Sequence, residues 1–298
     1  MQYRKLGRTG LSVSSVGLGT WQLGGMWDKT FAQCEVDGLF RRAAELGINF
    51  IDTAECYGFE HLSERLIGNA IAGAREKWII ATKFGHNHAN DLENDNYLPG
   101  QVQLQLEESL RALQTDVIDI YQIHSAGYKY FNNDELWTML NKQVQAGKIR
   151  FLGNSVPLHA IPRQIPKSRE YGIDVIQVPY NAISLEAEQT LFPLAREMDL
   201  GIIARSPLAM GFLSGKYREG HTFPKSDVRG MLLPQENVDR QIREAKEVLR
   251  NKPQDMDNVS WACAWCLRQS EISVVIPGAK SVRQLEMNAA AGNAGIQL

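Results

Sequence analysis

Residues 117–124 read VIDIYQIH, a nearly continuous apolar run that ends on a histidine. Such a run predicts a strand that is covered on both faces, as in a parallel sheet. Seven further runs are of similar kind, so the chain has eight candidate strands. The other seven are SVGLGT (15–20), INFIDT (48–53), KWIIATKF (77–84), IRFLGNS (149–155), DVIQVPY (174–180), GIIARSP (201–207) and ISVVIPG (272–278).

Helical patterns lie between these runs. In 101–114 the apolar residues recur at helical spacing after Pro99-Gly100, and in 31–47 a similar pattern stops at Gly47. Eight strands with intervening helices predict an α/β fold, a (β/α)8 TIM barrel, as a single domain over residues 1–298. A two-domain Rossmann arrangement is the alternative, but no linker-like break in composition supports it.

Two segments fall outside the eightfold pattern. Residues 3–16 predict an N-terminal hairpin that turns at Arg8-Thr9-Gly10. Residues 208–271 insert a long loop and two helices between the seventh and eighth strands. An excursion of this length in a compact domain is usually functional.

The composition is that of a globular protein, with 44% hydrophobic and 22% charged residues among 298. A formal net charge of −2 gives no general attraction to nucleic acid or to anionic membranes. No apolar run reaches the roughly 18 residues of a membrane span, and the first residues lack a signal-peptide core. The four cysteines show no disulfide-framework spacing. We therefore expect a cytoplasmic protein.

Three charged or titratable residues end neighbouring candidate strands, namely Asp52, Lys83 and His124, and Tyr57 follows Asp52 by five residues. In barrels of this kind the active site lies at these strand ends. The group suits carbonyl reduction, in which a proton donor must meet the developing alkoxide. We expect Lys83 to lower the pKa of Tyr57, Asp52 to keep Lys83 charged, and His124 to donate a hydrogen bond to the substrate oxygen.

Seven motifs in order then show that the chain resembles the aldo-keto reductase superfamily over essentially its full length. They are IDTAECYG (51–58), ATKF (81–84), LRALQTDVIDIYQIH (110–124), LGNS (152–155), IQVPYN (176–181), IIARSPLAMGFLSGKY (202–217) and VVIPGAKSVRQLEMN (274–288).

The resemblance implies NAD(P)H-dependent reduction of small aldehydes and ketones. Tyr57 would be the general acid, tuned by Lys83 and Asp52, and His124 would place the carbonyl. GLGTWQ (17–22) lacks the third glycine of G-x-G-x-x-G, so the coenzyme would bind without a Rossmann fold. The expected coenzyme-binding set is Gly19, Thr20, Trp21, Ser155, Gln177, Arg205, Ser206, Leu208, Gly211, Lys216, Gly278, Lys280, Gln284 and Asn288.

Within that set the resemblance assigns the nicotinamide carboxamide to Ser155 and Gln177. It places the adenosine 2′-phosphate at the loop after the eighth strand, where Lys280 is basic, so we expect NADPH to be preferred over NADH. Gln284 and Asn288 share a helix face and would contact the adenine.

Two positions depart from the pattern of many family members. Val156 stands where asparagine often follows the serine after strand five, so one carboxamide contact is in doubt. Arg205 stands where a stacking tyrosine is common, and it could stack by its plane or reach a phosphate.

Other readings stay open. The charged residues could be a structural polar network, since buried charges need partners whatever their purpose. There are two functional alternatives. One is a coenzyme-binding accessory subunit with little turnover, and the other is a metal-dependent hydrolase built on His124 and Asp52.

The pair Cys263 and Cys266 suits core packing better than redox or metal chemistry. The run of 86–93, with two histidines and two carboxylates, resembles a metal-binding loop but better suits a solvated loop, and we expect no metal.

Overall fold

The computed structural model describes residues 1–86 and 96–293. Ten strands lie in this part of the chain: β1 (Tyr3–Lys5), β2 (Ser12–Ser14), β3 (Leu18–Gly19), β4 (Phe50–Asp52), β5 (Ile79–Phe84), β6 (Ile118–His124), β7 (Ile149–Ser155), β8 (Ile173–Pro179), β9 (Gly201–Arg205) and β10 (Ile272–Val275).

Helices cover the spaces between the strands. The α-helices are α1 (Gln33–Glu45), α2 (Leu62–Ala70), α3 (Pro99–Ala112), α4 (Tyr128–Phe131), α5 (Asp134–Gln145), α6 (Ile161–Gln164), α7 (Ser168–Tyr171), α8 (Glu186–Thr190), α9 (Phe192–Met198), α10 (Val228–Leu232), α11 (Gln235–Leu249), α12 (Asn258–Leu267) and α13 (Val282–Ala290). No helix among the described residues has both the length and the apolar character that crossing a membrane requires.

Strands β3 to β10 form one parallel sheet in chain order. Its two edges meet, because Val16 bridges Val275 and Gly19 bridges Gly278 in parallel fashion. The sheet therefore curls into a barrel, which confirms the predicted (β/α)8 fold. All eight predicted strands are present, although the first is reduced to Leu18–Gly19.

The N-terminal hairpin closes one end of this barrel. Strands β1 and β2 pair in antiparallel register, with Tyr3 opposite Ser14. Leu6 and Val13 are completely buried and pack with apolar side chains of the barrel strands. Those side chains are Phe50, Ala81, Ile120, Val175, Ile203, Val274 and Ile276. This end is consequently filled with apolar groups, which leaves the opposite end, at the strand C-termini, for polar chemistry.

The predicted helix boundaries are close to the observed ones. The pattern in 101–114 corresponds to α3, which begins at Pro99, and the pattern in 31–47 corresponds to α1. Gly47 has a φ of 79°, a left-handed conformation that suits glycine after a helix.

The insertion after β9 differs from its prediction. It holds three α-helices, α10, α11 and α12, where the sequence predicted two. The five-residue α10 was missed because it is too short to show apolar periodicity, although Asp227 caps it by accepting a hydrogen bond from the Arg229 amide at 3.0 Å. Cys263 and Cys266 lie buried in α12, where they serve as packing groups.

Candidate active site

Lys83 lies at the centre of the polar end of the barrel. Asp52 on β4 pairs with Ala81 on β5, and Lys83 follows two residues later on the same face of the sheet. Its completely buried ammonium donates hydrogen bonds to Asp52 Oδ1 at 2.7 Å and to the Thr53 carbonyl at 2.7 Å. A third, longer contact of 3.3 Å reaches the Tyr57 hydroxyl. The structure thus brings three of the predicted catalytic residues together.

Asp52 is held from its other side as well. Its Oδ2 accepts a hydrogen bond from Gln177 Nε2 at 2.6 Å, and Ser155 Oγ lies 3.4 Å from Gln177 Oε1. The polar network therefore crosses the barrel from β4 to β8. The sequence analysis missed the bond between Gln177 and Asp52, although both residues end barrel strands and face the same mouth.

Burial governs the protonation of this group. Burial lowers the pKa of Lys83, and the charge and hydrogen bond of Asp52 oppose that shift. Burial raises the pKa of Tyr57 well above its ordinary value, the Asp52 charge adds to the rise, and Arg205 opposes it. The structure therefore raises the Tyr57 pKa where the sequence predicted that Lys83 would lower it, because burial is the largest influence and the Asp52 charge adds to it. The phenol consequently carries its proton at neutral pH.

His124 ends β6 on the other side of Tyr57. The two ring centroids are 6.1 Å apart and the planes lie at 79°. Its Nδ1 is 3.6 Å from Cys56 Sγ, and the His86 ring centroid is 4.5 Å from that of His124. Its backbone carbonyl accepts a hydrogen bond from the Tyr97 hydroxyl at 2.6 Å, which fixes the end of the strand.

Aromatic rings stand beside the Tyr57 phenol. The Trp21 ring stacks on Tyr57 with centroids 5.9 Å apart, and Trp27 packs edge-on against Trp21 at 5.1 Å. Trp21 is thus placed at the mouth of the barrel. Thr20, its neighbour, uses its hydroxyl to donate to the Asp52 carbonyl at 2.9 Å, so it stabilises the strand end.

The predicted residues of the β9 loop surround a strained turn. Arg205 ends β9, and Ser206 follows with a φ of 56°, a conformation that is uncommon for residues other than glycine. Asn181 Nδ2 donates to the Ser206 carbonyl at 3.0 Å and holds that conformation. Farther along the same loop, Leu208 immediately precedes the 3-10 helix Ala209–Ser214, Gly211 lies within it and Lys216 follows it.

The loop after β10 is organised by the first turns of α13. Lys280 donates its backbone N–H to Gln284 Oε1 at 2.8 Å, and Asn288 Nδ2 donates to the Gly278 carbonyl at 3.1 Å. The Lys280 ammonium donates to the Trp27 carbonyl. Gln284 and Asn288 therefore shape the loop in this structure, and their contact with adenine stays a prediction.

A feature that the sequence analysis missed joins the insertion to the loop after β3. Asp227 bridges Trp27 through the backbone, and the Asp28 amide donates to the Ser226 carbonyl at 3.0 Å. Arg229 pairs with Asp227 at 2.6 Å and stacks its guanidinium on Phe223, 4.0 Å from the ring centroid. We name residues 223–229 the strap. A contact between residues 200 positions apart leaves no local pattern in the sequence.

Two buried polar atoms are available to a bound group such as a coenzyme. Gln22 Oε1 and Arg205 Nε are buried and have no hydrogen-bond partner among the described residues, so each can accept or donate to a bound group. A side chain at Gly19 would meet the Ile276 carbonyl at 2.6 Å, so the two strand ends approach as closely as only glycine permits.

Metal binding finds no support in the described ranges. Residues 1–86 and 96–293 contain no group of three histidine, cysteine or carboxylate side chains that could hold an ion. His88, Asp91 and Glu93, which the sequence suggested as part of a metal-like loop, lie outside those ranges.

Comparison with known proteins shows one family. The model of the Aldo/keto reductase family matches residues 15–297. The uncharacterized oxidoreductase YrpG of Bacillus subtilis (strain 168) is 32% identical over 96% of this chain and 89% of its own length. The aldo-keto reductase yakc [NADP(+)] of Schizosaccharomyces pombe is 30% identical over 96% of this chain and 85% of its own. Among solved structures, the holo form of aldo-keto reductase AKR11C1 from Bacillus halodurans aligns with a TM-score of 0.80 and 28% sequence identity. The alignment covers 99% of this chain and 91% of the AKR11C1 chain.

Proposed function

The chain belongs to the Aldo/keto reductase family, and we propose that it reduces aldehydes or ketones to alcohols with NADPH, using Tyr57 as the proton donor. The observation that carries this proposal is the position of the Lys83 ammonium, 2.7 Å from Asp52 Oδ1 and 3.3 Å from the Tyr57 hydroxyl. A protonated phenol beside a buried cation is suited to giving up its proton at the moment when negative charge develops on a substrate oxygen.

The reaction needs two hydrogens from different sources. When bound, the reduced nicotinamide supplies a hydride to the carbonyl carbon. Tyr57 supplies the proton to the carbonyl oxygen, which becomes a hydroxyl as the C=O double bond becomes a single bond. The resulting phenolate lies next to Lys83, whose charge stabilises it, and Asp52 compensates that charge when the phenol is neutral.

His124 orients the substrate. Its ring faces Tyr57 edge-on with centroids 6.1 Å apart, so the two side chains can reach one carbonyl oxygen from different sides. A hydrogen bond from the imidazole would polarise the carbonyl and direct the oxygen towards the phenol. The contact between His124 Nδ1 and Cys56 Sγ at 3.6 Å steadies the ring in that orientation.

The preference for NADPH rests on the basic side chains near the loop after β10. Burial is the largest cause of the lowered Lys280 pKa, the charge of Asp227 opposes it, and the charges of Arg229 and Lys216 add to it. Because Asp227 compensates Arg229, the charges left for the additional phosphate of NADPH are those of Lys280 and Lys216. The name of the yakc relative, which specifies NADP(+), points the same way.

Turnover and binding measured together test the proposal. The natural protein would be mixed with NADPH and a panel of aldehydes, with coenzyme absorbance followed over time, and its affinities for NADPH and NADH would be titrated by fluorescence. We expect turnover with several aldehydes and tighter binding of NADPH. Tight binding without turnover on any aldehyde would favour the accessory-subunit reading, and tighter binding of NADH would contradict the assignment of the basic residues.

A further inference from the structure

Arg205 brings a second positive charge into the polar end of the barrel. It is the last residue of β9, beside Pro179 of β8, and its backbone carbonyl accepts a hydrogen bond from the Tyr180 amide at 3.2 Å. Its Nε is buried without a hydrogen-bond partner. The side chain takes part in none of the ion pairs formed within residues 1–86 and 96–293. Arg205 is partly exposed as a whole, but a buried Nε–H without an acceptor is costly, and it points to a role in the loaded site.

The charges around Tyr57 do not balance. Lys83 is compensated by Asp52, and Arg205 adds a further positive charge that acts on Tyr57, Lys83 and Asp52. Guanidinium stays protonated under all ordinary conditions. With the Tyr57 phenol neutral, this group of four side chains carries a net charge of one positive unit. Any ligand that brings a further positive charge to this place is therefore disfavoured.

The two oxidation states of a nicotinamide differ in this respect. The oxidised ring carries a positive charge and the reduced ring is neutral. Hydride transfer requires the reacting atoms to lie about 3–3.5 Å apart, so the ring must lie against the carbonyl that Tyr57 protonates. The charge of the oxidised ring consequently develops close to the phenol, in the field of Arg205.

We propose that Arg205 makes the site discriminate between the oxidation states of its coenzyme, so that the reduced form binds more tightly than the oxidised form. This inference rests on the proposed function, and it extends it by assigning a specificity for the redox state to one residue. The consequence for carbonyl reduction is that the oxidised coenzyme, which is the product, is the form that the site releases more readily.

A different role for Arg205 makes a different prediction. If the guanidinium contacted a coenzyme phosphate, its removal would weaken the binding of both oxidation states by the same factor, since both carry the same phosphates. If Arg205 only filled space, a neutral side chain of similar length would leave both affinities unchanged. The ratio of the two dissociation constants therefore separates the three roles.

The experiment measures binding without a carbonyl substrate, so that no turnover occurs. Dissociation constants for NADPH and for NADP+ would be titrated by protein fluorescence in the natural protein, in Arg205→Met, which is similar in length and neutral, and in Arg205→Lys, which keeps the charge. Arg41→Met, which removes an exposed arginine of α1, is the matched control.

We expect the natural protein and the Arg41→Met control to bind NADPH more tightly than NADP+. The ratio of the dissociation constant for NADP+ to that for NADPH should fall about 10-fold in Arg205→Met and be largely kept in Arg205→Lys.

A ratio near one in the natural protein, or an equal ratio in natural protein and Arg205→Met, would overturn the inference while leaving the reductase assignment intact. Failure of the natural protein to bind either coenzyme would overturn the proposed function and this inference with it. Because the ratio in the natural protein is itself decisive, poor folding of a variant does not remove the test.

Discussion

Gln177 Nε2 donates a hydrogen bond of 2.6 Å to Asp52 Oδ2, across the barrel from β8 to β4. Asp52 therefore has a donor on each oxygen, Lys83 on one and Gln177 on the other. A carboxylate held in this way cannot rotate away from Lys83. The bond explains how a charged pair is kept in a fixed geometry at the base of the proposed site.

Removing the amide tests this arrangement. Gln177→Met keeps the length of the side chain but leaves Asp52 Oδ2 buried without its donor, so we expect a loss of about 1–3 kcal/mol in the free energy of unfolding. The measurement is urea denaturation followed by fluorescence. Gln101→Met, on an exposed position of α3, is the control, and equal losses in the two variants would show that the bond contributes nothing.

The pair of Asp52 and Lys83 gives a second prediction. Asp52→Ala leaves the buried ammonium of Lys83 without its counter-ion and should lower the free energy of unfolding by about 3–5 kcal/mol. The double variant Asp52→Ala with Lys83→Met removes both charges and should recover part of that loss. If Asp52→Ala unfolds at the same denaturant concentration as the natural protein, the pair does not stabilise the fold.

Glu55 gives a prediction on pH. Burial raises its pKa well above the ordinary value, with the charge of Glu64 adding to the rise, although its carboxylate accepts a hydrogen bond from the Gly85 amide at 2.7 Å. The unfolded chain releases this proton near pH 4.3, whereas the folded chain retains it. Stability is therefore lost as the pH rises from about 4 towards the folded pKa, by about 1.4 kcal/mol for each pH unit.

Glu55→Gln removes this titration. We expect the variant to gain stability relative to the natural protein between pH 4 and pH 7, as measured by urea denaturation at both values. Glu76→Gln, at an exposed position, should show no such change. A constant difference between natural protein and Glu55→Gln at the two pH values would mean that the pKa of Glu55 is not raised by folding.

The strap provides a test of the contacts that join the insertion to the loop after β3. Arg229→Met leaves the buried carboxylate of Asp227 unpaired, so the strap should open more often. We expect faster amide hydrogen exchange at Asp28 and Val228, whose N–H groups donate to Ser226 and Met26. Exchange as slow as in Arg218→Met, an exposed control, would show that the ion pair does not hold the strap.

Much of the architecture could be predicted because it depends on short-range patterns. The apolar run of 117–124 and its seven counterparts predict a parallel sheet, and the ends of those strands predict that Asp52, Lys83 and His124 share one mouth. The register of β4 with β5 then places Asp52 and Lys83 in contact. These inferences need only the alternation of strands and the direction of the chain.

The remaining features depend on distances that local patterns do not encode. The bond between Gln177 and Asp52 requires particular side-chain conformations on strands that are 125 positions apart in sequence. The strap depends on the folded position of the whole insertion. The raised pKa of Tyr57 reflects its burial and the charge of Asp52, and the degree of burial cannot be read from the local sequence.

The most direct test of the central claim is the rate of hydride transfer in a single turnover by Tyr57→Phe. Enzyme with bound NADPH would be mixed rapidly with an aldehyde that the natural protein reduces, and the loss of coenzyme absorbance would be followed. We expect the rate to fall by at least about 100-fold, since phenylalanine has no proton to donate, while the dissociation constant for NADPH stays within about threefold. A rate within tenfold of that of the natural protein would contradict the role of Tyr57 as the proton donor.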